Sequence, residues 1–427
     1  MTGSGNCEPG GGNCAQARHP TAGKDSPRDN VNTMSNEPSD ERIDPALERV
    51  LSEARELLRG ATPEHAPREL TRIALIDDDG AIWHGLLETL DTETHDATTA
   101  RRLRIAARND ALDAEVQLRA DTAHHENAPH WHGLEQELLA DAQLILGQLP
   151  KTNAELRALS LLAGRHAAPD AILILGGREK YLHRGMNDIL AEGFTTVRAT
   201  RGARKARALV ASQPRGEVTP ESDLQSDTIL NGRELGGPLI VCATPGAFAG
   251  AKLDLGTRAL LGVLQQPQLV TEMGHLDAQD ELNILDLGCG TGILAAVAAR
   301  RWPTARVTAS DRSLAAVTSA TATARANGLD DRIHVERDLA AAKVPPASID
   351  LVLCNPPFHD GLAVVEDLAA PMFRGAAQAL RPGGLMLTVF NAHLGHRQTL
   401  QRVVGPTRQL HRDAKFIVTL SIRAERA

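Results

Sequence analysis

The chain is 427 residues long, 42% hydrophobic and 23% charged, with 46 Lys and Arg against 54 Asp and Glu. That length and apolar content accommodate two or three packed domains and exclude a peptide scaffold or a fibrous protein. The formal net charge of −8 excludes a polycation that coats nucleic acid by charge alone. Cys7, Cys14, Cys242, Cys289 and Cys354 form no CxxC pair, which argues against a zinc cluster or disulfide framework and for a reducing cytoplasmic setting. No apolar run reaches the length of about 18 residues needed to cross a bilayer, and the N-terminal MTGSGNCEPGGGNC lacks the basic-then-apolar order of a signal peptide. A soluble, untargeted protein without a membrane partner is expected.

Residues 1–45 are rich in Gly, Asn, Ser, Pro and Asp and too poor in large apolar residues to offset ordering entropy, so they are expected to be a disordered tail. A first domain is expected over 46–212. It holds the runs DAQLILGQLPK (141–151), AILILGG (171–177), LHRGMNDIL (182–190) and ARALVAS (206–212). The turn-rich stretch 213–231 reads as a linker to a second domain over 232–427.

In the second domain, strand-like runs alternate with Ala-rich helix-length segments, the pattern of parallel strands with crossover helices. The runs are 283–287, 306–310, 332–336, 350–354, 385–390 and 415–422, with helices expected at 293–301, 314–327 and 372–380. The first domain repeats part of this order: DLVLCNPPF, LMLTVFN, LGHRQTLQRV and FIVTLS each have a counterpart among its runs. The fold expected is therefore α/β, two tandem Rossmann-like domains. The ligand crevice should lie at the strand C-termini.

The strongest motif is DLGCGTG (286–292), at a strand end and before a helix. Glycines there permit a sharp turn and close approach of a ligand to the main chain, and the following helix presents free N–H groups. Ile293 stands where a dinucleotide fingerprint needs its third glycine. The DxGxGxG form, with Asp286, Gly288, Gly290 and Gly292, instead resembles motif I of class I S-adenosylmethionine-dependent methyltransferases. Asp311 closes the next strand, where a carboxylate can accept both ribose hydroxyls, and Asp338 follows the third, where the family contacts the adenine edge. In the first copy the loop position is held by IDDDG (76–80), whose Asp77, Asp78 and Asp79 are expected to crowd and repel the ligand. That copy is read as degenerate.

The fourth strand runs into Asn355-Pro356-Pro357-Phe358-His359-Asp360. The prolines remove two backbone donors and leave acceptors, which suits a target bearing an NH₂ group. Asn355 Oδ1 and the Pro356 carbonyl can each accept one N–H and aim the nitrogen lone pair, while Phe358 offers a stacking face. This resembles motif IV of enzymes that methylate exocyclic or amide nitrogens. Taken with LDLGTRALL (253–261), the preceding AFAG and KFIV (415–418), the sequence is similar to the ribosomal RNA guanine-N2 methyltransferases. The resemblance implies S-adenosylmethionine as cofactor, no metal, ribosomal RNA as partner, a degenerate N-terminal domain for RNA contact or support, and Asp254 and Thr257 near the methionine end of the cofactor.

Two rivals remain open at this stage: methylation of adenine N6 or of a protein glutamine amide, and an inactive RNA-binding assembly factor. Arg198, Arg201, Arg204, Lys205 and Arg207 fit phosphate contact or a solvated face. So does the segment from Arg374 to the C-terminus, with nine Lys and Arg against Asp413 and Glu425. His359 and Asp360 could meet the base edge or solvent, and Trp83, Trp131 and Trp302 read as packing residues. The sequence carries no signal for oligomeric state.

Overall fold

The computed structural model describes residues 43–59, 70–93, 103–216, 224–266, 269, 273, 281–357 and 366–424. The expected tail up to residue 42 lies outside them, as do Phe358, His359 and Asp360. The first half of the chain runs α1 (Pro45–Leu58), β1 (Arg72–Ile76), α2 (Ala81–Glu93), β2 (Arg104–Arg108), α3 (Leu112–Thr122), β3 (His130–Trp131), α4 (Gln136–Leu139), β4 (Leu144–Gln148), α5 (Asn153–His166), β5 (Ile172–Arg178), α6 (Gly185–Gly193), β6 (Phe194–Ala199) and β7 (Ala206–Pro214). The second half runs β8 (Ser226–Leu230), β9 (Leu239–Ala243), α7 (Leu255–Leu264), β10 (Asn283–Leu287), α8 (Ile293–Arg301), β11 (Arg306–Asp311), α9 (Leu314–Ala326), β12 (Ile333–Arg337), β13 (Ile349–Cys354), α10 (Glu366–Ala379), β14 (Leu380–Asn391), α11 (His396–Val403), β15 (Thr407–Arg412) and β16 (Phe416–Ile422).

The two large sheets have one topology. Their strand orders are 3-2-1-4-5-7-6 and 12-11-10-13-14-16-15, and β1 to β7 correspond in that order to β10 to β16. The first five strands in each order are parallel, and β7 and β16 run antiparallel to both of their neighbours. Arg72 pairs with Arg104 as Asn283 pairs with Arg306, which sets the correspondence residue by residue. Asp77 therefore stands where the second copy has Gly288, Asn109 where it has Asp311, and Gln148 where it has Asn355. In the second sheet the chain leaves β10 toward β11 and β12 and returns on the other side to β13, so the switch point lies at the ends of β10 and β13.

Each sheet is covered on both faces. In the second, α7 to α9 enclose Leu260, Ile284, Leu294, Leu351 and Val418 on one side, and Val352, Phe373, Phe390 and Ile417 fill the other. A fully buried side chain of this kind contributes about 1.5–3 kcal/mol, which makes these layers the frame on which the loops are held. Trp83 and Trp302 are buried, and Arg119 lies over the ring of Trp131, all packing roles.

The structure refines the reading of two segments and adds a strand. The stretch 213–231 is not simply a linker: β7 continues through Pro214, and Ser226–Leu230 forms a hairpin with β9. That strand is almost wholly exposed, so it carries no apolar alternation, and only its partner's hydrogen bonds define it. β15 was not visible in the sequence for the same reason, being a polar edge strand beside β16. The basic stretch 198–207 is largely neutralised, because Arg198 pairs with Glu53, Arg204 with Glu48 and Arg207 with Glu179.

Candidate active site

Gly288, Gly290 and Gly292 have φ of 79°, 52° and 78°, the left-handed region in which a side chain is strained. A Cβ on Gly288 would meet Met372, and one on Gly292 would press on Ala320 at 3.0 Å. A Cβ on Gly290 would meet nothing within 4 Å, so that turn faces open space. Asp286 lies beneath it, fully buried, with Oδ2 accepting from Ala295 N at the start of α8. Burial pushes its carboxyl up to about 7, and Oδ1 has no partner among the described residues. Asp311, half-buried at the end of β11, accepts from Gly290 N at 3.0 Å through Oδ2 and from Ser313 N at 2.9 Å through Oδ1. Each oxygen keeps a further lone pair. A glycine cradle open to the crevice, flanked by an oriented carboxylate, fits a nucleoside-bearing ligand.

Asn355 follows β13 at the other side of the crevice, and a Cβ on Gly288 would lie 3.9 Å from its carbonyl. Its Nδ2 donates to Asp254 Oδ1 at 3.1 Å and to Thr257 Oγ1 at 3.0 Å. Asp254 also caps α7 through the Gly256 and Thr257 amides. A carboxylate is an acceptor only, so it fixes which end of the amide faces it. Asn355 Oδ1 is thereby turned away, buried and without a partner among the described residues. Gly256 leaves room for this, since a Cβ there would come 3.1 Å from that oxygen.

Asp254 and Thr257 thus hold the amide of Asn355, a link between α7 and β13 that residues 98 and more apart in sequence gave no sign of. Asp338 is buried, and its two oxygens accept from Leu339 N and Lys343 N. Pro356 is buried. Burial raises the thiols of Cys289 and Cys354 well above the ordinary range, so neither supplies a thiolate.

In the first copy the corresponding crevice is filled. Asp77, with φ of 51°, accepts from Asp110 N, and Asp78 caps α2 through Ile82 N and Trp83 N. The carboxylates therefore serve main-chain amides instead of projecting into the ligand space as expected. Arg108, buried, takes that space and bonds Glu155 at 2.7 Å and Asp77 at 3.2 Å. A buried cation requires such partners, and no local pattern signals a pairing between β2 and α5. Asn109, in place of Asp311, spends its amide on Asp78 O. Equilibrium dialysis is expected to give one equivalent of S-adenosylmethionine per chain. A second equivalent would mean that the Arg108 cluster opens.

Residues 238–420 match the Methyltransferase small domain family and residues 86–215 the RLMG N-terminal domain family. The fold is that of the Thermus thermophilus 16S rRNA N2 G1207 methyltransferase RsmC, solved with AdoMet and guanosine, with a TM-score of 0.69 over 89% of this chain and 92% of that one at 22% identity. Ribosomal RNA large subunit methyltransferase G of Shewanella amazonensis is 33% identical over 66% of this chain and 70% of its own length. The Pseudomonas putida GB-1 protein of the same name is 31% identical over 86% and 91%. At 31–33% identity over 70–91% of these relatives' lengths, the chain belongs to the ribosomal RNA large subunit methyltransferase G family.

Proposed function

We propose that the second domain methylates the exocyclic N2 amine of a guanine in ribosomal RNA, using S-adenosylmethionine held by the 286–292 loop and Asp311. The observation that carries this reading is Asn355 Oδ1, a buried acceptor without a partner among the described residues while Asp254 and Thr257 hold the other end of the amide. Such an atom is costly unless a donor arrives, and a planar amine supplies one. Its N–H bonded to Oδ1 turns the nitrogen lone pair out of the ring's conjugation and toward the crevice. Bound cofactor supplies an electrophilic sulfonium methyl. The protein's part is alignment and exclusion of water, and no protein nucleophile is needed. The base reaches Asn355 by leaving its stack.

RNA docking falls to the second domain's basic rim. Ala392 N donates to Lys415 O, which puts the β15–β16 turn on the edge of the sheet where Asn355 lies. Arg397, Arg412 and Lys415 are exposed there, with no ion pair among the described residues. Strand order places β15 three steps from β13, about 14 Å at the usual spacing, within reach of phosphates flanking an extruded base. In the first copy α1 carries Glu53 and Glu48 against Arg198 and Arg204, whereas α7 has no acid at all.

The test is to incubate the protein with tritiated S-adenosylmethionine and protein-free large- or small-subunit ribosomal RNA, then identify the labelled nucleoside by mass spectrometry. N2-methylguanosine from the large-subunit RNA is expected. Label in adenine, or no label in either RNA, would overturn the reading.

A further inference from the structure

The two copies meet through their second-strand loops. Asp110, just after β2, accepts from Ser313 Oγ and Ala315 N, both at 3.0 Å, and its carbonyl accepts from Leu314 N. Leu112 N donates to Arg312 O, so 110–112 and 312–314 zip together antiparallel around the Ala111–Ser313 bridge. Arg337, at the end of β12, donates to the Asn109, Asp110 and Arg312 carbonyls and pairs with Glu115. Behind Asp110 stands the filled crevice: Asp77 accepts its amide at 2.8 Å, and Arg108, held by Asp77 and Glu155, lies 3.7 Å from its carboxylate. Ahead of it, Ser313 N donates to Asp311 Oδ1. An unbroken chain of polar contacts thus runs from the abandoned ligand crevice of one copy to the carboxylate of the working copy.

We infer that Asp110 is a positioning residue for the cofactor: the first domain's former ligand crevice has become a strut that sets the rotamer of Asp311. This rests on the reading of Asp311 as the ribose carboxylate. The loop 311–313 is the short link between β11 and α9, and without Asp110 the Ser313 hydroxyl and the Ala315 amide lose their shared acceptor. Asp311 is then free to turn from the geometry that serves two hydroxyls at once. The effect falls on recognition of the ribose diol and not on the target amine, because Asn355 is held from another side by α7.

The test is calorimetric titration of the full-length chain with S-adenosylhomocysteine and with its 2′-deoxyribose analogue. Wild type is expected to prefer the diol at least about tenfold, the range of one or two charge-assisted hydrogen bonds. Asp110→Ala should reduce that preference to under about threefold and leave the affinity for the deoxy analogue unchanged. Asp110→Asn, which keeps an acceptor oxygen for Ser313 and Ala315, should restore it. Turnover at saturating cofactor should stay within about twofold of wild type while the KM for cofactor rises. An undiminished preference in folded Asp110→Ala overturns the strut while leaving Asp311 as the ribose carboxylate. Loss of preference already in wild type overturns both. Should Asp110→Ala fail to fold by circular dichroism, Ser313→Ala, which removes the hydroxyl donor to Asp110 together with the α9 cap that accepts from Ala316 N, takes its place, and an unchanged preference there likewise overturns the inference.

Discussion

Replacing Asn355 by alanine is expected to lower single-turnover methyl transfer by about 10²–10³-fold, with cofactor affinity changed by no more than about threefold. The magnitude follows from comparable deletions of one preorganised hydrogen-bonding group aimed at a reacting centre, which cost about 2.7–4 kcal/mol. Preorganisation is visible here in three contacts. Asp254 and Thr257 take both protons of Nδ2, and Gly256 leaves the space a methyl group would contest, so Oδ1 has a single direction to face. The split between rate and affinity is the informative part, since the glycine cradle and Asp311 belong to other strands and keep their geometry without the amide. Rapid-quench transfer of a tritiated methyl, alongside titration with S-adenosylhomocysteine, measures the two separately. Turnover near wild type would remove Asn355 from the chemistry.

Asp311→Ala is expected to act in the opposite sense, weakening S-adenosylhomocysteine about 10- to 150-fold while turnover at saturating cofactor falls much less. Hydrogen bonds from ribose hydroxyls to Asp311, the role proposed for this carboxylate, belong to the ground state, and each 1.4 kcal/mol lost is tenfold in affinity, within the roughly 1.5–3 kcal/mol such bonds contribute. The carboxylate also fastens the glycine turn through Gly290 N and the following loop through Ser313 N, so its loss loosens the cradle itself. Calorimetry decides the matter: unchanged affinity would place the ribose elsewhere.

Both predictions concern a division of labour that arose within one duplicated fold. The second copy keeps glycines at 288, 290 and 292 and a carboxylate at 311. The first has Asp77 and Asn109 at the corresponding places and closes its crevice with Arg108 and Glu155. Its α1 carries acids that pair with Arg198 and Arg204. What it retains is the loop at Asp110, through which it touches the working copy.

Much of this was legible in the amino-acid sequence because the signals are local. Apolar runs of strand length, glycines at fixed offsets after a strand, and an Asn-Pro-Pro turn each state a backbone requirement within a few residues, and repetition of their order disclosed the duplication. Polar edge strands such as Ser226–Leu230 and Thr407–Arg412 carry no such signal, since exposed side chains leave no alternation and the partner's hydrogen bonds alone make them strands. The same holds for every long-range polar contact at the site. Asp254 with Asn355, Arg108 with Glu155 and Asp110 with Ser313 are separated by 101, 47 and 203 positions. The sequence by itself determined the fold class, the duplication and the glycine loop, because these follow from periodicity and backbone conformation. Which carboxylate holds which amide was decided only by tertiary structure, because burial obliges each polar group to find a partner wherever the chain's packing brings one near.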